Sequence, residues 1–250
     1  MTILGDKNEE PGTYMTLGGH IEDFRKRLIY ILLGITAGVI VCLFLGGKLI
    51  YFTRRPYISV MTEQGLESRL QTLAPSDGFI TYVKISLLAG FTLASPWVFY
   101  HLWQFIAAGL YASERRIVNY AVPMSALLFV SGVVFFIIIV APFTLRFFII
   151  FNRNMLGIDS AFTFERYISF IINMMLVFGF AFQTPTAIFF LNKIGVAPLE
   201  KLAKSRKYVL FAVFIIAAIV TPPDIVSQIT LAIPLYMLFE FGILMSYLNR

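Results

Sequence analysis

Apolar residues in this chain arrive in runs too long for a soluble core, and one run is too short for the membrane the others imply. Leu28 to Leu45, Phe79 to about Ile106, about Ile117 to Phe148, and about Tyr167 to Leu191 are dominated by apolar side chains. Each is about the length a helix needs to cross a hydrocarbon core of roughly 30 Å. Tyr208 to Val220 (YVLFAVFIIAAIV) covers only about 20 Å at a helical rise of roughly 1.5 Å per residue. Thr221-Pro222-Pro223-Asp224 stops it, and a last run returns from Ile225 to about Tyr247. A stubby hairpin must thin the bilayer, tilt little or lean on other spans. That is a poor build for a simple anchor and suits a protein that deforms or opens the bilayer.

The expected fold is therefore an all-α integral membrane protein: six transmembrane helices in a curved, concave bundle, with a short fifth and sixth helix. Composition agrees. Only 14% of the 250 residues are charged, against roughly 25% in globular chains. Pro96, Pro142, Pro185 and Pro234 lie within spans, and Pro123 near the start of one. Prolines are tolerated there when neighbouring groups satisfy the freed backbone, and they kink the helix, which favours curvature. No internal repeat is visible, against an inverted-repeat transporter. Residues 1–27 read as a cytoplasmic N-terminal segment, with 1–19 too polar for a cleavable signal, and 28–248 as a single membrane domain.

Orientation follows from the basic residues. Arg25-Lys26-Arg27 directly before the first span places both termini in the cytoplasm, with 12 Lys and Arg inside against 8 outside. The net charge of +6 is explained by these flanking positions, not by nucleic acid. The segment 46–78 is expected as an outer loop carrying short helical pieces, and Pro75-Ser76-Asp77 as a cap on the second span. Thr53-Arg54-Arg55-Pro56-Tyr57-Ile58 has the look of an export signal, but it is internal and on the outer side, so targeting is excluded.

No enzyme constellation appears. His20 and His101 read as interfacial polar residues, and no nucleophile–base motif surrounds either. Cys42 is the single cysteine, so no internal disulfide and no metal or cofactor site is expected. Lys84, Asn173, Gln183, Gln228 and Glu240 are polar residues in costly positions. Helix–helix glue and the docking of a partner's membrane helix use the same physics, and both readings stay open. At the inner surface, Glu22-Asp23 and Glu114 accompany arginines and aromatic side chains. Such carboxylates form a solvated network or receive a basic peptide through bidentate pairing with guanidinium.

Taken together, HIEDFRKRL (20–28), LAPSDGFITYVKISLLAGF running into LASPWVFYHLWQFIAAGLYASERR, AFQTPTAIFFL, and TPPDIVSQITLAIPLYMLFEFG (221–242) resemble the TatC family, the multispanning receptor subunit of the twin-arginine translocase. The resemblance spans roughly residues 20–248. It implies no catalysis, residence in a prokaryotic inner membrane, and binding of Arg-Arg signal peptides on folded precursors. It implies TatA-like and TatB-like single-span partners, a homo-oligomer within a receptor complex, and transport driven by the proton-motive force. By motif, Glu114 and Phe105 are the core of signal-peptide recognition, with Asp23, Arg25 and Leu28 beside them. Thr221 and Gln228 match the patch where partner helices dock, Gln183 is expected to add a contact at depth, and Pro56 matches a proline of the first outer loop. Three departures stand out. Gln183 replaces the family's usual glutamate, Asp23 replaces a glutamate, and Ala108-Gly109 replaces Pro-Ala. The rivals are a transporter with Lys84, Gln183 and Glu240 around a midplane site, and a membrane-embedded enzyme.

Overall fold

The first apolar run does not end in a loop: in the computed structural model it continues as one helix, α1 (Leu17–Glu63), of 47 residues. The structure describes residues 17–110, 115–158, 162–220 and 225–248. At about 70 Å, α1 is more than twice the thickness of a bilayer core, and it begins well before Leu28. Pro56, expected in the outer loop, lies inside this helix and is buried. Nothing nearby stops the chain until Gly65, whose φ of 67° is left-handed, so that Leu66 N–H donates back to the Met61 carbonyl at 2.9 Å. This is the usual glycine stop of a helix.

The second helix, α2 (Asp77–Ala108), packs along α1 so closely that a Cβ on Gly38 would lie 2.5 Å from the Gly90 carbonyl oxygen. Only paired glycines permit that approach, the small-residue packing of membrane helices. Ser76 makes no side-chain cap on α2. Instead the Asp77 carboxylate accepts from Leu73 N–H at 3.1 Å and Ala74 N–H at 2.9 Å, folding the loop back on the helix start.

The third span is α3 (Arg115–Phe135), a π-helical turn at Phe136–Val140, and α4 (Ala141–Leu156). The N–H of Ala141 donates to Phe136, five residues back. Pro142 supplies no N–H and crowds the turn before it, and a wide turn placed just there absorbs the misfit. The fourth span breaks in the same way. α5 (Phe164–Ala181) ends at Phe182-Gln183, and α6 (Thr184–Lys193) restarts with Pro185 in its first turn, where a missing N–H is harmless.

A short α7 (Leu199–Lys204) leads to α8 (Arg206–Val220) and α9 (Ile225–Leu248). Among the described residues five helical stretches are long and apolar enough to span a membrane; α8, with 15 residues, is the short sixth member. The fully buried core is aromatic and β-branched: Phe129, Phe136, Phe178, Ile168 and Ile171. Outward faces stay apolar, as at Phe44, 87% exposed, and Ile219, 78% exposed. Water would penalise this surface, and lipid does not. The bundle curves around a cavity of about 590 Å³ between α1, α2 and α5, lined by Ile35, Leu87, Phe91, Leu176 and Phe180, with Lys84 and Ser169 among them.

Candidate functional site

At the end of the bundle where α1 begins, called the inner end after the expected orientation, the start of α1 crosses the end of α2. The helical spacing of His20, Phe24 and Leu28, each four residues apart, puts them on one stripe. Phe105 from α2 meets that stripe: His20 stacks on it at 4.6 Å between ring centroids, and Phe24 tilts against it at 5.3 Å. Phe24 remains 49% exposed and Leu28 43%, so the stripe is an open aromatic shelf. Asp23 and Arg27 form an ion pair at 2.6 Å, and Glu22 and Lys26 another at 2.9 Å, both across one helical turn. The hydrogen bond and charge of Glu22 hold the Lys26 ammonium above its usual range. Arg25 is exposed. Phe105 therefore meets the stripe that Leu28 continues, Asp23 lies on the neighbouring face of α1 with Arg27, and Glu114 lies outside the described residues.

The sequence reading missed Phe24 and Arg27. Arg27 was legible from its four-residue spacing to Asp23, an acid one turn ahead of a base. It also placed His101 at an interface. In the structure His101 is 8% exposed, boxed by Trp97 at 4.5 Å, Tyr100 at 5.2 Å and Tyr30 at 5.4 Å, because its position on α2 turns it onto α1.

Deeper in the inner half, Gln183 sits at the α5–α6 break. Its amide donates to the Ser125 carbonyl at 2.9 Å, while the Ser125 hydroxyl accepts from Trp103 Nε1 at 2.9 Å. Three spans thus meet at Ser125, a residue with no signal in the sequence. Gln228 donates to the Phe214 carbonyl at 3.0 Å, tying α9 to α8. Thr221 lies outside the described residues. Pro56 is seated among the α1 residues that face the π-helical turn.

The three residues of a supposed midplane transport site do not converge. Lys84 pairs with Glu165 at 2.8 Å and donates to Ser169 at 3.2 Å. Glu240 holds Arg206 through two bonds, at 2.8 and 3.0 Å, and accepts from Tyr236 at 2.8 Å. Gln183 serves Ser125. Each is spent on a different neighbour, and the central cavity takes only Lys84 of the three.

The family model described as TatC, Sec-independent protein translocase protein, matches residues 19–234. The Sec-independent protein translocase protein TatC of Listeria innocua is 34% identical over 232 residues, 93% of this chain and 91% of that one. The protein of the same name from Escherichia coli K12 is 31% identical over 227 residues, 91% of this chain and 86% of that one. A crystal structure of the twin arginine translocase receptor TatC superimposes with a TM-score of 0.80 at 33% identity, covering 92% of this chain and all of that chain. A second, in the detergent DDM, gives a TM-score of 0.82 at 33% identity over 91% of this chain.

Proposed function

The chain belongs to the TatC family of Sec-independent protein translocase proteins, and from that premise we propose that it is the subunit that receives Arg-Arg signal peptides. It is a translocase component of the bacterial inner membrane, a transport protein rather than a catalyst. The observation that supports a receptor role is the open shelf at the inner end: Phe105 with His20 and Phe24, bordered by Glu22 and Asp23.

Recognition of a twin-arginine peptide follows from charge and shape. Guanidinium is planar and forms two parallel bonds to one carboxylate, which an ammonium cannot do. Glu114, in the segment joining α2 to α3, takes one arginine of the peptide. Asp23 contributes through the oxygen that Arg27 leaves free, with Arg25 setting the charge balance at its side. Phe105 offers a face on which guanidinium stacks. The apolar stretch that follows in a signal peptide runs along Leu28 and the exposed face of α1. In this reading residues 1–27 and the C-terminus face the cytoplasm. The α8–α9 hairpin, with Thr221 and Gln228, docks TatA-like or TatB-like membrane helices, Gln183 adds a polar contact at depth, and copies assemble into a receptor complex. The proton-motive force drives the transport step.

The test is binding of a twin-arginine signal peptide and its twin-lysine form to wild type and Glu114→Gln. A charge-assisted pair is worth about 1.5–3 kcal/mol, or roughly 10- to 150-fold in affinity. The substitution is expected to lower affinity for the arginine peptide by that factor and to change the lysine peptide little. Equal affinity of both proteins for the arginine peptide removes Glu114 from the site.

A further inference from the structure

The Arg54-Arg55 pair, not expected to act in targeting, lies where α1 passes the third span. Tyr51, Phe52, Arg55 and Ser59 line one side of a groove of about 500 Å³, and Ile138 and Pro142 the other. Residues 51, 55 and 59 are four apart and share a face of α1. The opposite wall carries Ile138 of the π-helical turn (Phe136–Val140) and Pro142 at the start of α4. Arg55 lies over the Tyr51 ring at 5.5 Å. Lys48, seven residues earlier on the same face, is exposed. Among the described residues neither Lys48 nor Arg55 has an ion-pair partner, whereas Lys26, Arg27, Lys84, Arg146 and Arg206 each have one.

Counting residues along the two helices gives the expected depth of this groove. About 20 helical residues cross the hydrocarbon core. Counting from the basic cluster that ends at Arg27 brings α1 to Gly47-Lys48. Counting from Arg116 brings the third span to Phe136. Lys48 and Phe136 thus fall at about the same core boundary, with Ile138 about 3 Å and Arg55 about 10 Å further on, towards the headgroup layer. Exposed Tyr51 and Phe52 at this level fit the aromatic belt of a membrane interface.

We infer that this groove is a binding site for an anionic phospholipid, with the headgroup phosphate on Arg55, Lys48 reaching up to the same layer, Phe52 beside the glycerol region, and an acyl chain descending past Ile138 into the core. Unpaired cations above an apolar slot at headgroup depth match that chemistry. A partner's helix would leave both cations facing lipid or protein without an anion.

The experiment uses the full chain purified in detergent, with native mass spectrometry and added phosphatidylglycerol or phosphatidylcholine. Each basic residue near a membrane surface is worth about fivefold in affinity for anionic lipid, so the pair is worth roughly 30-fold. Phosphatidylglycerol retention is expected to fall by about that factor in the Lys48→Ala, Arg55→Ala double variant, and to be kept in the charge-preserving Lys48→Arg, Arg55→Lys variant. Phosphatidylcholine is expected to bind weakly to all three, and inorganic phosphate to displace nothing. A photoreactive group at Ser59 is expected to label lipid. Unchanged retention in the double alanine variant, loss in the charge-preserving one, or equal binding of phosphatidylcholine overturns the site. So does displacement by inorganic phosphate, or labelling of a second copy or another protein from Ser59.

Discussion

The two ends of the bundle are built from opposite materials. At the inner end, the ion pairs of α1 stay within α1, and aromatic side chains lie open on its surface. At the outer end, bonds run from helix to helix. Arg146 of α4 reaches Glu63, and Arg153 Nη1 donates to the Gln64 carbonyl at 3.0 Å. Lys84 of α2 holds Glu165 of α5, and the Tyr167 hydroxyl donates to the Thr53 carbonyl at 2.8 Å. Gln71 bridges to the segment before α5 through Gln71 N–H to the Phe162 carbonyl at 3.3 Å and Phe164 N–H to the Gln71 carbonyl at 2.8 Å. The lesson concerns α1: its outer end is clasped to other spans, whereas at its inner end the charges pair within the helix and the aromatic groups stay open, even though Arg206 of α8 holds Glu240 of α9 at that same end.

The harshest way to break that contrast is to empty the clasp. Tyr57 is fully buried and packs edge-on against Phe162 at 5.7 Å and beside Tyr167 at 5.3 Å. Removing a buried aromatic ring costs about 3–5 kcal/mol through lost contacts and the cavity left behind. Tyr57→Ala is expected to lower the melting temperature in detergent more than any substitution on the inner shelf, with peptide binding retained below the transition. Phe105→Ala, on the half-open shelf, serves as the reversed control: little change in melting and a large loss of peptide affinity. If both variants lose stability and binding in parallel, the two ends are one cooperative unit.

A milder test acts on the clasp's charges. Glu165→Gln leaves the Lys84 ammonium without its counter-charge beside the central cavity. The pair is partly exposed, at 42% and 34% of the two side chains, so screening limits its worth to about 1–2 kcal/mol. The variant is expected to melt slightly earlier, and the Lys84→Met, Glu165→Met double variant to recover most of the loss, measured as a double-mutant cycle. Additive losses show that the two side chains do not act as a pair.

Much of this was legible in the sequence because its signals were long-range averages. Apolar runs set the number of spans, and basic flanks set an expected orientation. The inner shelf was legible only by resemblance, through the motif HIEDFRKRL and through Phe105, and not from the spacing that sets Phe24 beside His20. What stayed hidden depends on local competition. The continuation of α1 past Leu45 was masked by Gly46-Gly47 and Pro56, which read as loop residues. In place, Gly46 fits against Tyr82, and Pro56 sits one turn above a Thr53 hydroxyl that donates to the Leu49 carbonyl at 3.0 Å. Pro142 signalled a kink, but the π-helical turn that absorbs it has no residue signature of its own. Ser125 was invisible for a plainer reason: its partners Trp103 and Gln183 lie 22 and 58 positions away.

The smallest expected effect belongs to that node, and it sharpens the contrast, since Gln183–Ser125–Trp103 is a cross-helix tie within the inner half. The Gln183 amide donates to a backbone carbonyl, a role that only an N–H or O–H group can fill. Gln183→Leu leaves the Ser125 carbonyl short of a donor, although the hydroxyl of Ser125 keeps its bond from Trp103. Polar contacts between membrane helices are worth about 0.6–2 kcal/mol, so a drop of that size in unfolding free energy is expected. Gln183→Glu, the family's usual residue by resemblance, is expected to be tolerated, because a neutral carboxylic acid offers an O–H to the same carbonyl. Trp103→Phe is expected to cost a comparable amount by freeing the Ser125 hydroxyl. The combined Gln183→Leu, Trp103→Phe variant should then fall short of the sum, because both changes loosen α3 at one residue. Strict additivity would mean that Ser125 does not couple the three spans, and that the inner half is held by packing alone.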